Sequence, residues 1–352
     1  MIDPLVHLAA ICAAYAVWLV MGGQKAAPPI LAMAGAVFVG LHAPLALLWI
    51  AFTCAEAALL FAWLRRKDRQ SNWRQYGMYL VLPNFLIVDV HPFAFGFNVE
   101  TLAISFATIR IFMTGKQLLA ARKTEPLAAA WWIPAAAFYL PAIMVGPVFS
   151  GTQLRKQAEG AAPAATPWLR DYRMILQGLI LAALLNPGAG ALVDYLQDPE
   201  FPSPWPDWAT APILFAQLFF AFWGQSLIAE HTSRLFGFDL PQNFDAPWKA
   251  NNIREFWNRW HRSMAQFVMQ YIFLPLQLKG VNPRLATVSA FVFMGVWHNL
   301  SPGYALWGLA HGLLLAFWPK GEMPANRQSL ARIATWGLVI SLSYVANYGS
   351  LA

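Results

Sequence analysis

The sequence predicts an all-α polytopic membrane protein, and three observations carry that expectation. Charged residues make up 12% of the 352 positions and apolar ones 58%, whereas a soluble domain carries about 25% charged residues. Apolar runs close to the roughly 20 residues that a helix needs to cross about 30 Å of hydrocarbon recur along the whole chain. Basic and acidic stretches separate those runs and give them a direction. β-barrel strands would instead alternate apolar and polar residues over about ten positions.

The first run, residues 7–23, has no basic leader and no small-residue cleavage site, so it reads as a retained helix and not as a signal peptide. Further runs occupy 44–64, 174–193 and 211–230, and the length criterion gives about 9–11 transmembrane helices in all. Cys12 and Cys54 fall inside apolar runs, where cysteine behaves as a small hydrophobe. Basic clusters lie at 65–74, 116–123, 155–173 and 249–262, and the loop 194–208 is acidic. The positive-inside rule therefore places 65–74 and 249–262 in the cytoplasm and 196–206 outside. The run 127–148 has basic sequence beyond both ends and carries Pro134, Pro141 and Pro147. A re-entrant or broken element satisfies that pattern where a single crossing does not. Residues 156–168 read as a flexible polar loop. With neither an internal repeat nor a dividing linker, residues 1–352 are expected to form a single domain.

The stretch 252–268 carries the densest pattern. Ile253, Phe256, Trp257, Trp260, Met264 and Phe267 fall at helical spacing as one apolar stripe, and Arg254, Glu255, Asn258, Arg259, His261 and Arg262 fill the rest. This predicts one amphipathic helix that begins near Asn252 and lies at the cytoplasmic interface. Taken alone, such a helix reads as a surface anchor. Further on, GVWHNLSPGYALWGLAHG (295–312) sets His298 and His311 inside otherwise apolar sequence.

Taken together, these segments resemble the membrane-bound O-acyltransferase family, in particular its bacterial branch of alginate O-acetyltransferases and teichoic-acid D-alanyl transferases. LPQNFDAPWKANNIREFWNRWH is similar to the family's N-F-x-x-P and F-W-x-R-W-H segments. FMGVWHNLSPGYALWGLAHG is similar to its M-G-x-W-H and W-G-x-x-H-G segments. AISFATIRIF (103–112) and YLPAIMVGPVFS (139–150) fit two upstream stretches, so the resemblance covers about residues 100–318. The chain departs from the pattern at Met269-Gln270-Tyr271, where relatives read R-D-Y, and at Gln277-Leu278, where they read G-G. Leu227 stands where an acidic residue is common, and Asn299 follows His298 where many relatives have glycine.

The resemblance implies a bundle with re-entrant and interfacial helices around a buried tunnel, in the bacterial inner membrane. It implies transfer of an acyl group, in this reading acetyl, from a thioester donor to a hydroxyl of a glycan or other cell-envelope acceptor. The donor would be acetyl-CoA or an acyl carrier protein, with no tightly bound cofactor and no nucleic acid involved. A separate extracytoplasmic acetyltransferase is an expected partner. His298 and His261 are the expected catalytic residues. Asn243, Arg254, Trp257, Asn258, Arg259, Trp260, Trp297 and His311 are expected to bind donor or acceptor, the donor's phosphates meeting Arg254, Arg259 and Arg262.

Physical reasoning supports the role of His298. With Arg284 at the cytoplasmic surface, a helical rise places His298 about 21 Å into a core about 30 Å thick, and counting from Lys320 places His311 about 13 Å deep. An ionisable group at such depth is expensive and faces the bundle interior or water, so both histidines are expected to face an internal polar cavity. A hydroxyl is a poor nucleophile, and neutral imidazole suits the removal of its proton. No cysteine or G-x-S-x-G serine offers a covalent nucleophile, which favours direct transfer. Each histidine also has a plain structural reading: hydrogen-bonded packing for His298, an interfacial setting for His261, and a helix-joining hydrogen bond for His311. Asn243 and Asn258 are ordinary loop and helix-surface residue types. His7, His42, His91 and His231 read as interface residues. No metal is expected, since His298 and His311 have no carboxylate companion. A secondary transporter would share the helices but should show a repeat, and a membrane scaffold has no use for two deep histidines.

Overall fold

The computed structural model describes residues 3–21, 24–68, 70–86, 99–121, 125–160, 168–198, 207–318 and 328–348. His91, Lys320 and most of the acidic loop 194–208 lie outside the described residues, as does the middle of the loop 156–168. Among the described residues the chain is helical and contains no strand. In chain order the α-helices used below are α1 (Pro4–Met21), α2 (Ala27–His42), α3 (Pro44–Leu64), α4 (Asn72–Tyr76), α5 (Val99–Ala120), α6 (Trp132–Ala137), α7 (Gly151–Glu159), α8 (Trp168–Leu179), α9 (Asn186–Leu196) and α10 (Ala211–Leu235). They continue with α11 (Ile253–Arg259), α12 (Arg262–Val268), α13 (Leu274–Leu278), α14 (Pro283–His298), α15 (Pro302–Phe317) and α16 (Gln328–Tyr348).

Among the described residues six segments are long and apolar enough to cross a membrane: Pro4–Met21, Gln24–His42, Pro44–Leu64, Trp168–Leu196, Trp208–Leu235 and Gln328–Ala346. The protein is a multi-pass membrane protein. The other apolar stretches are shorter or interrupted; α14 and α15 have 16 residues each, about 24 Å at the helical rise.

Local chemistry sets most boundaries. Proline enters the first turn of α2, α3, α14 and α15, where its missing N–H costs nothing and its fixed φ suits a helix. Ser150 opens α7 with a reciprocal capping box to Gln153. Asn252, Asn282 and Ser301 accept from the first free backbone N–H groups of α11, α14 and α15.

The chain forms two compact units. Unit 1 comprises Met1–Leu179 with Gly224–Pro241, and unit 2 comprises Ile180–Trp223 with Gln242–Ala352. In unit 1, α3 packs on α5, and α5 on α6 and α7. The proline-rich run 127–148 is broken as expected: short turns at Leu127–Trp131 and Leu140–Ala142 flank α6, and residues 135–150 are all buried.

Two histidines depart from their expected setting. His7 is buried in unit 1 with Nε2 on the carbonyl oxygen of Leu140 at 2.8 Å. His231 is buried with Nδ1 on Asp171 Oδ1 at 2.6 Å. Neither is an interface residue, because each found a polar partner from a distant part of the chain, which apolar periodicity does not report. His42 is exposed and bonds the Phe38 carbonyl of its own helix.

In unit 2, α14 and α15 form a tight antiparallel hairpin. A Cβ on Gly308 would stand 2.3 Å from the Phe291 carbonyl oxygen, and one on Gly295 would stand 2.1 Å from that of Tyr304. Only glycine admits this approach, and small residues are the usual means by which membrane helices pack closely.

Candidate active site

The single amphipathic helix expected over 252–268 is two helices. α11 ends at Arg259 and α12 begins at Arg262, and His261 between them has left-handed backbone, φ 45° and ψ 51°. The apolar stripe itself is as expected, with Ile253, Phe256, Trp260, Met264 and Phe267 buried, but it faces protein. Trp260 stacks on Phe256 and Phe219 at 5.3 Å each and meets Phe244 edge-on at 5.0 Å. Phe256 meets Trp336 of α16 edge-on at 5.5 Å. Burial of these five side chains against an aromatic core holds the segment to the protein.

The break is held by the segment 242–245. The backbone N–H of Arg262 donates to the Asn243 carbonyl at 2.9 Å, and that of Asp245 donates to the Arg259 carbonyl at 3.0 Å. Ser263 Oγ donates to Asn243 Oδ1 at 2.5 Å, and both residues are buried. Arg259 donates to the Asp245 carbonyl and Arg262 to Gln242 Oε1. Ala246 and His261 are the two non-glycine residues with positive φ among the described residues, and both lie in this clasp. A strained conformation persists only where its surroundings over-determine it, and such residues cluster at functional sites.

The three motif histidines come together through tryptophans. The His261 ring meets Phe222 edge-on at 4.6 Å and Trp297 at 6.2 Å. Trp297 lies 4.8 Å from His298, His298 5.5 Å from Trp307, and Trp307 4.5 Å from His311. Trp257 closes the far end, 5.4 Å from His311 and 5.7 Å from Trp307. His261 lies outside the six long apolar helices, and burial holds its pKa well below the ordinary value of 6.5, with His298 adding to the effect. Its imidazole is neutral at neutral pH.

His298 and His311 differ in access. His298, the last residue of α14, is exposed, and Tyr304 packs on its ring at 5.8 Å. His311 has no accessible surface, and its Nδ1 donates to the Trp307 carbonyl of the preceding turn at 3.0 Å. The expectation that both face a polar cavity is corrected for His311, which packing surrounds with Trp257, Phe291 and Trp307.

The remaining expected residues divide by exposure. Arg254 is exposed and donates to the Leu315 carbonyl at 3.2 Å. Arg259 and Arg262 are half-buried and Asn258 is exposed. Asn243, Trp260 and Trp297 are buried, and Trp257 is half-buried. Sequence reasoning missed Ser263, which nothing in its local pattern distinguishes, and Arg110 of unit 1, whose signal was a lone arginine in an apolar helix.

A family model described as MBOAT, membrane-bound O-acyltransferase family, matches residues 135–319, just over half of the chain. A teichoic acid D-alanyltransferase of Bacillus subtilis is 33% identical over 148 residues, 36% of this chain and 38% of that protein. A peptidoglycan O-acetyltransferase of Helicobacter pylori is 34% identical over 112 residues, 31% of this chain and 21% of that protein. A probable alginate O-acetylase of Pseudomonas aeruginosa is 27% identical over 179 residues, 50% of this chain and 34% of that protein. The matched segments thus span less than two fifths of each of these relatives.

Proposed function

This chain belongs to the membrane-bound O-acyltransferase family, and from that premise we propose that it transfers an acyl group, acetyl in our reading, from a thioester to a hydroxyl of a glycan or other cell-envelope acceptor. The observation that carries the reading is His298, an exposed residue at the end of an apolar helix, its ring packed by Trp297, Tyr304 and Trp307 near the neutral His261.

In this reading a ring nitrogen of His298 accepts the acceptor's hydroxyl proton as that oxygen attacks the thioester carbonyl carbon. The new C–O bond forms, the C–S bond breaks, and the departing thiolate takes the proton back from the imidazolium. Electrons and protons balance without a covalent enzyme intermediate. His261 acts beside it on the same reacting group. Asn243, Trp257, Asn258, Trp260 and Trp297 shape the surroundings, and the donor's phosphates approach the side bearing Arg254, Arg259 and Arg262. The donor is acetyl-CoA or an acyl carrier protein, the membrane is the bacterial inner membrane, and a separate extracytoplasmic acetyltransferase is the expected partner. The names of the relatives favour envelope polymers as acceptors: teichoic acid, peptidoglycan and alginate.

The test is thioester turnover by the purified full chain with acetyl-CoA and with an acyl carrier thioester. His298→Ala or His298→Gln should keep membrane level and fold while lowering turnover by about 10²–10⁴-fold, the usual worth of a positioned base. A folded His298→Ala protein with near-normal turnover would overturn the mechanism. Absence of turnover with either thioester, together with substrate flux in vesicles, would favour a transporter.

A further inference from the structure

Unit 1 holds a buried cation that the transfer chemistry does not use. Arg110 of α5 has no accessible surface. A guanidinium stays charged in proteins and carries five N–H donors. Its Nη2 donates to the carbonyl oxygens of Ala142 at 2.5 Å and Pro147 at 3.4 Å. Nε and Nη1, with the other three hydrogens, have no hydrogen-bond partner among the described residues, and no carboxylate there pairs with the group.

The rings of Phe149 and Phe106, 4.8 and 5.8 Å from Cζ, offer cation–π attraction but no oxygen to accept those hydrogens. The buried Tyr139 hydroxyl has Ser233 as its neighbour but no hydrogen bond of normal geometry, and its ring packs on the same Phe149 at 5.3 Å. Unspent donors and an uncompensated buried charge are costly, and together they describe a seat for an oxyanion.

Phe149 packs on Arg110 and also lines a recess of about 220 Å³, with Gln153, Gln157, Asp239 and Leu240 among the other lining residues. Asp239 is paired with Arg234 at 2.9 Å, and both ends of the Gln157 amide bond the Asp239 backbone, so the recess is polar and nearly neutral. α7, which carries Gln153 and Gln157, also carries Lys156 and Arg155, the latter paired with Glu125 and Glu159.

We propose that unit 1 binds a phosphate group at Arg110, with the Tyr139 hydroxyl as a second donor and Phe149 as the ring that turns aside to admit it from the recess. Several oxygens are needed to answer three N–H groups and one O–H, which favours phosphate over carboxylate. The site stands whether or not the chain transfers an acyl group. The phosphate comes from a soluble compound or from a lipid headgroup.

The full chain in dodecyl maltoside micelles, whose headgroup carries no phosphate, distinguishes these sources by its unfolding midpoint. One arm adds sodium phosphate, with sodium acetate at matched ionic strength as control, and the other adds phosphatidylglycerol to the micelles. A saturable rise of about 2–6 °C is expected in at least one arm. A rise with inorganic phosphate assigns a soluble ligand, and a rise with phosphatidylglycerol alone assigns a headgroup. Arg110→Gln should abolish the rise, yet without ligand be at least as stable as the parent, since it removes a buried charge. Tyr139→Phe, which keeps the packing, should weaken it and decides the matter if Arg110→Gln does not fold. No rise in either arm, an equal rise with acetate, an equal rise in Arg110→Gln, or an undiminished rise in Tyr139→Phe overturns the proposal.

Discussion

Asn243→Ala tests whether the buried loop 242–245 sets the geometry of His261. The substitution removes the 2.5 Å bond from Ser263 Oγ while the backbone bond from Arg262 N to the Asn243 carbonyl remains. An unmade buried hydrogen bond costs about 1–3 kcal/mol, and the left-handed conformation at His261 costs about as much. Once the clasp is loosened by that amount, strained and relaxed conformations of the break become comparable in energy. A competent fraction reduced to about one tenth corresponds to about 1.4 kcal/mol. The expected result is a fall of about 10-fold in kcat with donor KM little changed, since the exposed Arg254 is untouched. Steady-state turnover of the purified chain measures both. A double variant with His261→Ala should be no worse than His261→Ala alone, because the two act through one group. Normal kcat in Asn243→Ala, or full additivity in the double variant, would refute the positioning role and leave Asn243 as a packing residue.

Two further substitutions probe the hairpin and the donor. Gly308→Ala puts a methyl 2.3 Å from the Phe291 carbonyl oxygen, so α14 and α15 must part by about 1 Å; the cost should be about 1–3 kcal/mol, read as a lower unfolding midpoint with reduced kcat, and an unchanged midpoint would contradict the close approach. Reversing Arg254 and Arg259 to Glu together should raise the donor KM with little effect on membrane level, since phosphates would meet like charge, and an unchanged donor dependence would remove the donor from this face.

Much of the site was legible because its residues obey local rules. Ile253, Phe256, Trp260, Met264 and Phe267 repeat at helical spacing, and Asn252 carries the oxygen that caps the first turn. His298 and His311 stood out as ionisable groups in apolar sequence. The break at His261 was not legible, because histidine has no local preference strong enough to end a helix there. The left-handed turn exists only because residues 242–245, some 18 positions earlier, bond both sides of it. The burial of His7 and His231 was hidden for the same reason, their partners Leu140 and Asp171 being 133 and 60 residues away.

By itself the sequence determined the solvent this chain needs, its helical class and the motif residues on which its chemistry is proposed. Apolar content and period act residue by residue, so they survive without knowledge of the fold. Tertiary structure alone decided which of the two histidines is exposed and which is enclosed. His298 and His311 look alike in sequence, yet the glycine-lined crossing of α14 and α15 buries His311 among Trp257, Phe291 and Trp307 while the end of α14 leaves His298 exposed. Access depends on what other segments cover, and a linear pattern contains no record of which faces will meet.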